Sequence, residues 1–184
     1  MNSFDLNKTC IISNNCWGSG FYKDQNVRYN TPFVGLYMQA DDYIDFLSNF
    51  RKNLTMPISM SFASRYGSMP FPVGRISDSI EILFMHYQSC DEAYDKWSRR
   101  VARVPNDDEN LLIKICDRDG FTDEHIPRFE RLDFSYKVGF LKKGRFSIFD
   151  KNIFHEIDVN NNEDCCPSGT ELFEITKYYF RENA

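Results

Sequence analysis

Leu111-Leu-Ile-Lys-Ile-Cys116 is a β-rich run with one polar residue, and it leads straight into Asp117-Arg-Asp119-Gly120. A strand this apolar must be covered on both faces, as strands of parallel sheets are. It ends on two acids one residue apart, with a glycine for the turn and a helix start behind. In open α/β sheets ligands sit beyond the carboxyl ends of the strands, so this loop is where chemistry is expected.

Other segments repeat the pattern. Thr9 to Ser13 and Phe33 to Tyr37 read as short buried strands, and Ser13 to Gly20 as a flexible strand-end loop. Asp41 or Asp42 caps a helix with Tyr43, Leu47, Phe50 and Leu54 on one face, stopped by Pro57. Ile58 to Phe62 alternates like a strand, and Tyr66 to Pro70 resembles a turn. Ser79 to Tyr87 reads as a strand with Glu81 and His86 as its polar intrusions. Ser89-Cys-Asp-Glu92 is a capping box, opening a helix with Ala93, Trp97, Val101 and Val104 inward. After the acidic loop come a helix capped by Thr122 with Pro127 one turn in, and a strand from Lys137 to Leu141. Asn160 to Asp164 forms a solvated loop, and a second capping box, Ser168 to Glu171, opens a closing helix. The expected fold is therefore α/β: a mainly parallel sheet flanked by helices, with a small antiparallel excursion around residues 57–80. One domain spans 1–184, since neither a repeat nor a linker interrupts it.

Composition narrows the function classes. A net charge of −5 argues against a nucleic-acid surface. The one basic group, Arg99, Arg100 and Arg103, falls in a helix's last turn, where the dipole accounts for it. No apolar run is long enough for a transmembrane segment, and Met1 to Leu6 lacks a signal-peptide pattern. The six cysteines lie in apolar runs or side by side, which reads as a reduced cytoplasmic protein without a zinc site.

Asp117 and Asp119 can face one ligand if the chain turns at Gly120, and two hard oxygen donors suit Mn²⁺ or Mg²⁺ bridging a diphosphate. The alternative is turn hydrogen bonds, or pairing with Arg118 and Arg128. His86, at a strand's carboxyl end, is a candidate general base or a hydrogen-bonded structural histidine. Glu81 reads as structural, and His125 and His155 as surface residues. Ser13, Asn14, Asn15, Cys16 and Trp17, with Arg118, are candidate substrate contacts. Asparagines grip hydroxyls or phosphate oxygens and an indole can carry a sugar ring, but asparagines also simply form turns. A nucleophilic Cys16 would need a base and a lowered pKa.

Cys10 to Gly18, Thr31 to Leu36, Pro72 to Gly74, Ile80 to Tyr87, Trp97 to Val101 and Cys116 to Gly120 together resemble a bacterial family. It is domain of unknown function 1919, often labelled exopolysaccharide biosynthesis protein. The resemblance covers roughly residues 9–142 and leaves Lys143 to Asn162 unmatched. It implies a link to capsule or exopolysaccharide assembly and names no catalytic residue. The expectation is an enzyme transferring a sugar from a nucleotide sugar. Asp117 and Asp119 hold the metal and diphosphate, Asn14, Asn15 and Trp17 position the sugar, and His86 accepts the acceptor's hydroxyl proton, with His86 and Asp119 the catalytic candidates. Transfer of an acyl or phospho group, or a non-catalytic sugar- or partner-binding module, would use the same edge.

Overall fold

The computed structural model describes residues 7–160 and 162–181. The expectation about a leader rests on residues 1–6, outside the described residues, as does Asn161 within the polar loop. Four strands, β1 (Cys10–Ser13), β5 (Leu111–Cys116), β6 (Lys137–Lys142) and β7 (Phe154–Ile157), form a parallel sheet in that order. Three more, β2 (Ser59–Ser64), β3 (Gly67–Ser77) and β4 (Ile80–Leu83), form a separate antiparallel sheet.

The parallel sheet is buried on both faces. Leu111, Ile113 and Ile115 of β5 enter one core, while Leu112 and Cys116 enter the other, as a period of two requires. The first core lies under α2 (Ala40–Ser48), α3 (Phe50–Thr55), α4 (Cys90–Val101), α5 (His125–Glu130) and the antiparallel sheet. The second lies under α1 (Trp17–Asp24) and α6 (Gly169–Thr176), after which α7 (Tyr178–Arg181) closes the described chain. Gly139 of β6 is obligatory: a Cβ there would stand 2.1 Å from Cδ1 of Phe154, whose ring crosses the strand.

The α/β class and the antiparallel excursion hold, but several element readings change. The stretch 33–37 is no strand. Its single ladder contact is the Tyr37–Leu83 bridge, reached after Gly35 turns at φ +70. The run 79–87 stops pairing at Leu83 and belongs to the antiparallel sheet, so its carboxyl end is not on the parallel sheet's ligand edge. Cys16 to Gly20 is not a flexible loop, because Trp17 to Gly20 already belong to α1. Gly18 lets that helix settle on β1, since a Cβ would meet Ile11 Cγ2 at 2.8 Å. The long helix expected from Asp41 breaks at Asn49 into α2 and α3. Ser89 caps α4 as expected, the Glu92 N–H donating to Ser89 Oγ (3.2 Å), while the Glu92 carboxylate reaches one residue beyond the cap, its Oε2 accepting the Gln88 N–H (3.1 Å). Ser168 makes no such bond at α6.

Candidate functional site

The extended segment Gly35 to Ala40 crosses the carboxyl edge of the parallel sheet and organises the site. At one end the His86 N–H donates to Gly35 O (3.1 Å), and Tyr37 exchanges two backbone bonds with Leu83 (2.9 Å each). At the other, the Met38 N–H donates to Asn14 O (3.0 Å) and the Ala40 N–H to Asp119 O (2.8 Å). Cys16 Sγ lies 3.8 Å from Leu36 O between them. Parallel pairing of Ser13 with Lys114 sets the two strand ends side by side. Residues 13–17 and 117–119 therefore converge. His86 does not join them: it is exposed, in a turn past β4, at the far end of the crossing segment.

The two acids take opposite roles. Asp117 is fully buried and saturated: Oδ1 accepts from the Cys166 N–H (2.7 Å), Oδ2 from the Lys142 N–H (2.9 Å), and Arg145 pairs with it at 3.3 Å. It ties β5, β6 and the segment before α6 into one corner. Asp119 sits in the left-handed region at φ 59, a conformation that Asp tolerates and most residues do not. Its Oδ2 is buried and has no hydrogen-bond partner. Burial pushes its pKa up to about 6, against the opposing charges of Arg118 and Lys114. Burial raises the Cys16 thiol as well, the reverse of what an activated nucleophile needs. Burial raises the pKa of half-buried Tyr37, and the charge of Asp119 adds to it.

The other expected contacts are largely consumed by the fold. Asn14 and Asn15 are buried, and each Oδ1 accepts from the ammonium of Lys114 (3.2 and 2.9 Å) while each amide nitrogen faces Cys116 Sγ. Ser13 is buried beside Asn15 (3.4 Å). Trp17 is wholly buried, its indole N–H donating to Thr176 Oγ1 (2.5 Å), so the ring packs in the second core and presents no face to a ligand. Arg118 pairs with Glu163 and donates to Cys166 O (3.3 Å). His125 is buried, not superficial. Its Nδ1 accepts the Thr122 N–H (2.9 Å), and its ring tilts against Phe121. His155 is half-buried against Phe140 and Tyr179. Glu81 is structural, buried and bound by Ser64 (2.5 Å) and Arg75 (2.6 Å). Tyr37 and Lys114 were not expected here. Lys114 had a sequence signal: a lone cation in an otherwise apolar strand must find acceptors.

For a metal the donor set is thin. Asp117 already spends both oxygens, and among the described residues no three His, Cys, Asp or Glu side chains are grouped to hold an ion. What remains open is one carboxyl, near the thiol of Cys16 and the phenol of Tyr37, able to take or give a proton near neutrality.

Asp119 has a stability signature with a definite sign. Its folded pKa, about 6, exceeds the ordinary carboxylate value near 3.9, so the folded state holds the proton more tightly. Stability should therefore fall as pH rises from about 4 to about 6 and then level off. Asp119→Asn removes that slope. By urea unfolding it should match the parent at pH 4 and exceed it at pH 8 by up to about 3 kcal/mol. Parallel pH profiles for the two proteins would refute the buried, uncompensated carboxylate.

Among the described residues no helix is long and apolar enough to cross a membrane. An "Uncharacterized protein" of Haemophilus influenzae is 39% identical over 133 residues, which are 72% of this chain and 61% of that protein. This chain thus spans less than two thirds of its relative's length. The family model described as Domain of unknown function (DUF1919) matches residues 2–168, including the stretch after Leu141 that the motifs alone left unmatched. The chain belongs to that family.

Proposed function

We propose that this chain is a cytoplasmic enzyme of surface-polysaccharide assembly that transfers a sugar from a nucleotide sugar to a sugar hydroxyl, with Asp119 accepting the hydroxyl proton. The observation that carries the reading is the buried, unpartnered Oδ2 of Asp119 at the carboxyl edge of a parallel sheet. A fold leaves a carboxylate in that state at a cost, and such costs concentrate at working sites. In the proposed step the acceptor oxygen forms a bond to the anomeric carbon while its proton passes to Asp119. The bond to the nucleotide diphosphate breaks, and the diphosphate leaves with the electron pair. A Mn²⁺ or Mg²⁺ ion carried on the donor's diphosphate would stabilise the leaving group's charge, and Asp119, as the base, would stay off it. The Asp117 oxygens are committed elsewhere, and His86 lies exposed in the turn past β4, off the parallel sheet's edge.

The test is a thermal-shift screen against UDP-, GDP-, CMP- and dTDP-sugars, with and without Mn²⁺, followed by assay of nucleotide release with an acceptor sugar. One nucleotide sugar should stabilise the protein. Asp119→Asn should stay folded and lose turnover by about 100-fold or more, the usual contribution of a general base. No stabilisation by any nucleotide sugar in either series would sink glycosyl transfer. Binding without turnover would make the site a sugar-binding module.

A further inference from the structure

Among the described residues six arginines are neutralised. Arg51, Arg65, Arg75, Arg118, Arg128 and Arg145 each pair with a carboxylate. Arg28, Arg99, Arg100 and Arg103 do not, although acidic residues outnumber lysines and arginines by 27 to 22. Among the described residues no carboxylate lies within ion-pair distance of any of the four. The helix dipole accounts for Arg99 and Arg100 in the last turn of α4. It does not account for Arg28, which arrives from the loop after α1.

The structure brings these segments together. Arg103 Nη1 donates to Tyr29 O (3.3 Å), next to Arg28. Arg103 also follows Arg99 and Arg100 by one helical turn, its N–H donating to Arg100 O (3.0 Å). Arg100 Nη1 is anchored on Tyr87 Oη (2.5 Å) and reaches Val34 O (3.5 Å). The guanidinium groups of Arg100 and Arg103 are thus held by hydrogen bonds, while Arg28 and Arg99 are exposed residues. Of the acids nearby in sequence, Asp95 makes no ion pair with Arg99, Asp107 Oδ1 accepts from the N–H (3.1 Å) and amide (2.6 Å) of Asn110, and Glu92 is taken by Lys96 (2.6 Å) and the Gln88 N–H. Burial lowers the Arg103 pKa, and so do the charges of Arg28, Arg99 and Arg100, as expected of cations crowded without a counter-charge.

We propose that Arg28, Arg99, Arg100 and Arg103 form a binding site for the phosphate groups of a small, freely diffusing phosphate-bearing solute. Guanidinium forks match phosphate oxygens bidentately, and several of them suit a multiply charged group. Arg100 and Arg103 are anchored on Tyr87, Val34 and Tyr29, a fixed arrangement that suits a compact solute better than the fluid face of a bilayer. The site does not involve Asp119 and stands whatever that residue does.

Pyrophosphate is the probe, titrated calorimetrically into the whole chain at low salt. The parent protein should bind it, more weakly as salt is raised. The Arg28→Gln, Arg103→Gln double variant should bind about tenfold or more weakly, and Arg28→Gln alone, an exposed change that leaves the fold intact, should show part of that loss. Arg131→Gln, an unpaired arginine in a different groove, should bind like the parent. No binding by the parent, or equal binding by the folded double variant, overturns the proposal. Co-sedimentation with phosphatidylglycerol vesicles without pyrophosphate binding overturns it too, in favour of a lipid headgroup.

Discussion

Asp117→Asn is expected to cost roughly 3–5 kcal/mol of stability, the range for breaking one partner of a buried, hydrogen-bonded charge pair. The amide keeps one acceptor, but its NH₂ group must face a second backbone donor or the guanidinium of Arg145. Either the Cys166 N–H or the Lys142 N–H then loses its partner, and Arg145 loses its counter-charge. For a chain of 184 residues this is a drop of about 10 °C in Tm. The contrast with Asp119→Asn is the diagnostic, since two acids one residue apart should respond with opposite signs at pH 8. A neutral result at Asp117 would mean its carboxylate is free for a ligand, and the two-carboxylate metal site would return. Urea unfolding of both variants at pH 8 decides it.

Trp97→Ala should cost about 3–5 kcal/mol, the usual consequence of emptying a large aromatic site in a packed core. Trp97 is nearly inaccessible and is the point where three elements meet. Its ring lies 5.8 Å from Phe33, 6.4 Å from Phe46 and 6.1 Å from Phe84, all edge-on. It therefore pins α4 to α2 and to the strand end that carries the crossing segment. Denaturant unfolding should show a lower midpoint with an unchanged slope. A loss under about 1 kcal/mol would show that α4 is not a load-carrying face of the first core.

Much of the architecture was legible because it depends on local pattern. The run of β5, apolar but for Lys114, announced a strand covered on both sides, and it lies between two cores. The Ser89 cap of α4 was readable from spacing alone, because its donor and acceptor are neighbours in the chain. Short elements fared worse. The run 79–87 has strand composition throughout, yet pairing ends at Leu83, and β7 was missed because Phe154 to Ile157 is short and half polar. Propensity cannot say which neighbour a strand finds, so the change from parallel to antiparallel partner, and with it the position of His86, was invisible.

The site divides in the same way. From the residues alone it followed that chemistry-bearing side chains cluster past β5, and the strand ends of β1 and β5 do meet there. Which of the two acids is spent and which is left over was settled by residues far along the chain. Lys142, Arg145 and Cys166 close on Asp117 and leave Asp119 with an orphaned oxygen. The return of α6 likewise brings Thr176 onto Trp17 and removes that indole from any ligand. Periodicity reports whether a face is buried. Hydrogen-bond satisfaction and electrostatic environment depend on which distant groups arrive at that face, and that is a property of the tertiary structure alone.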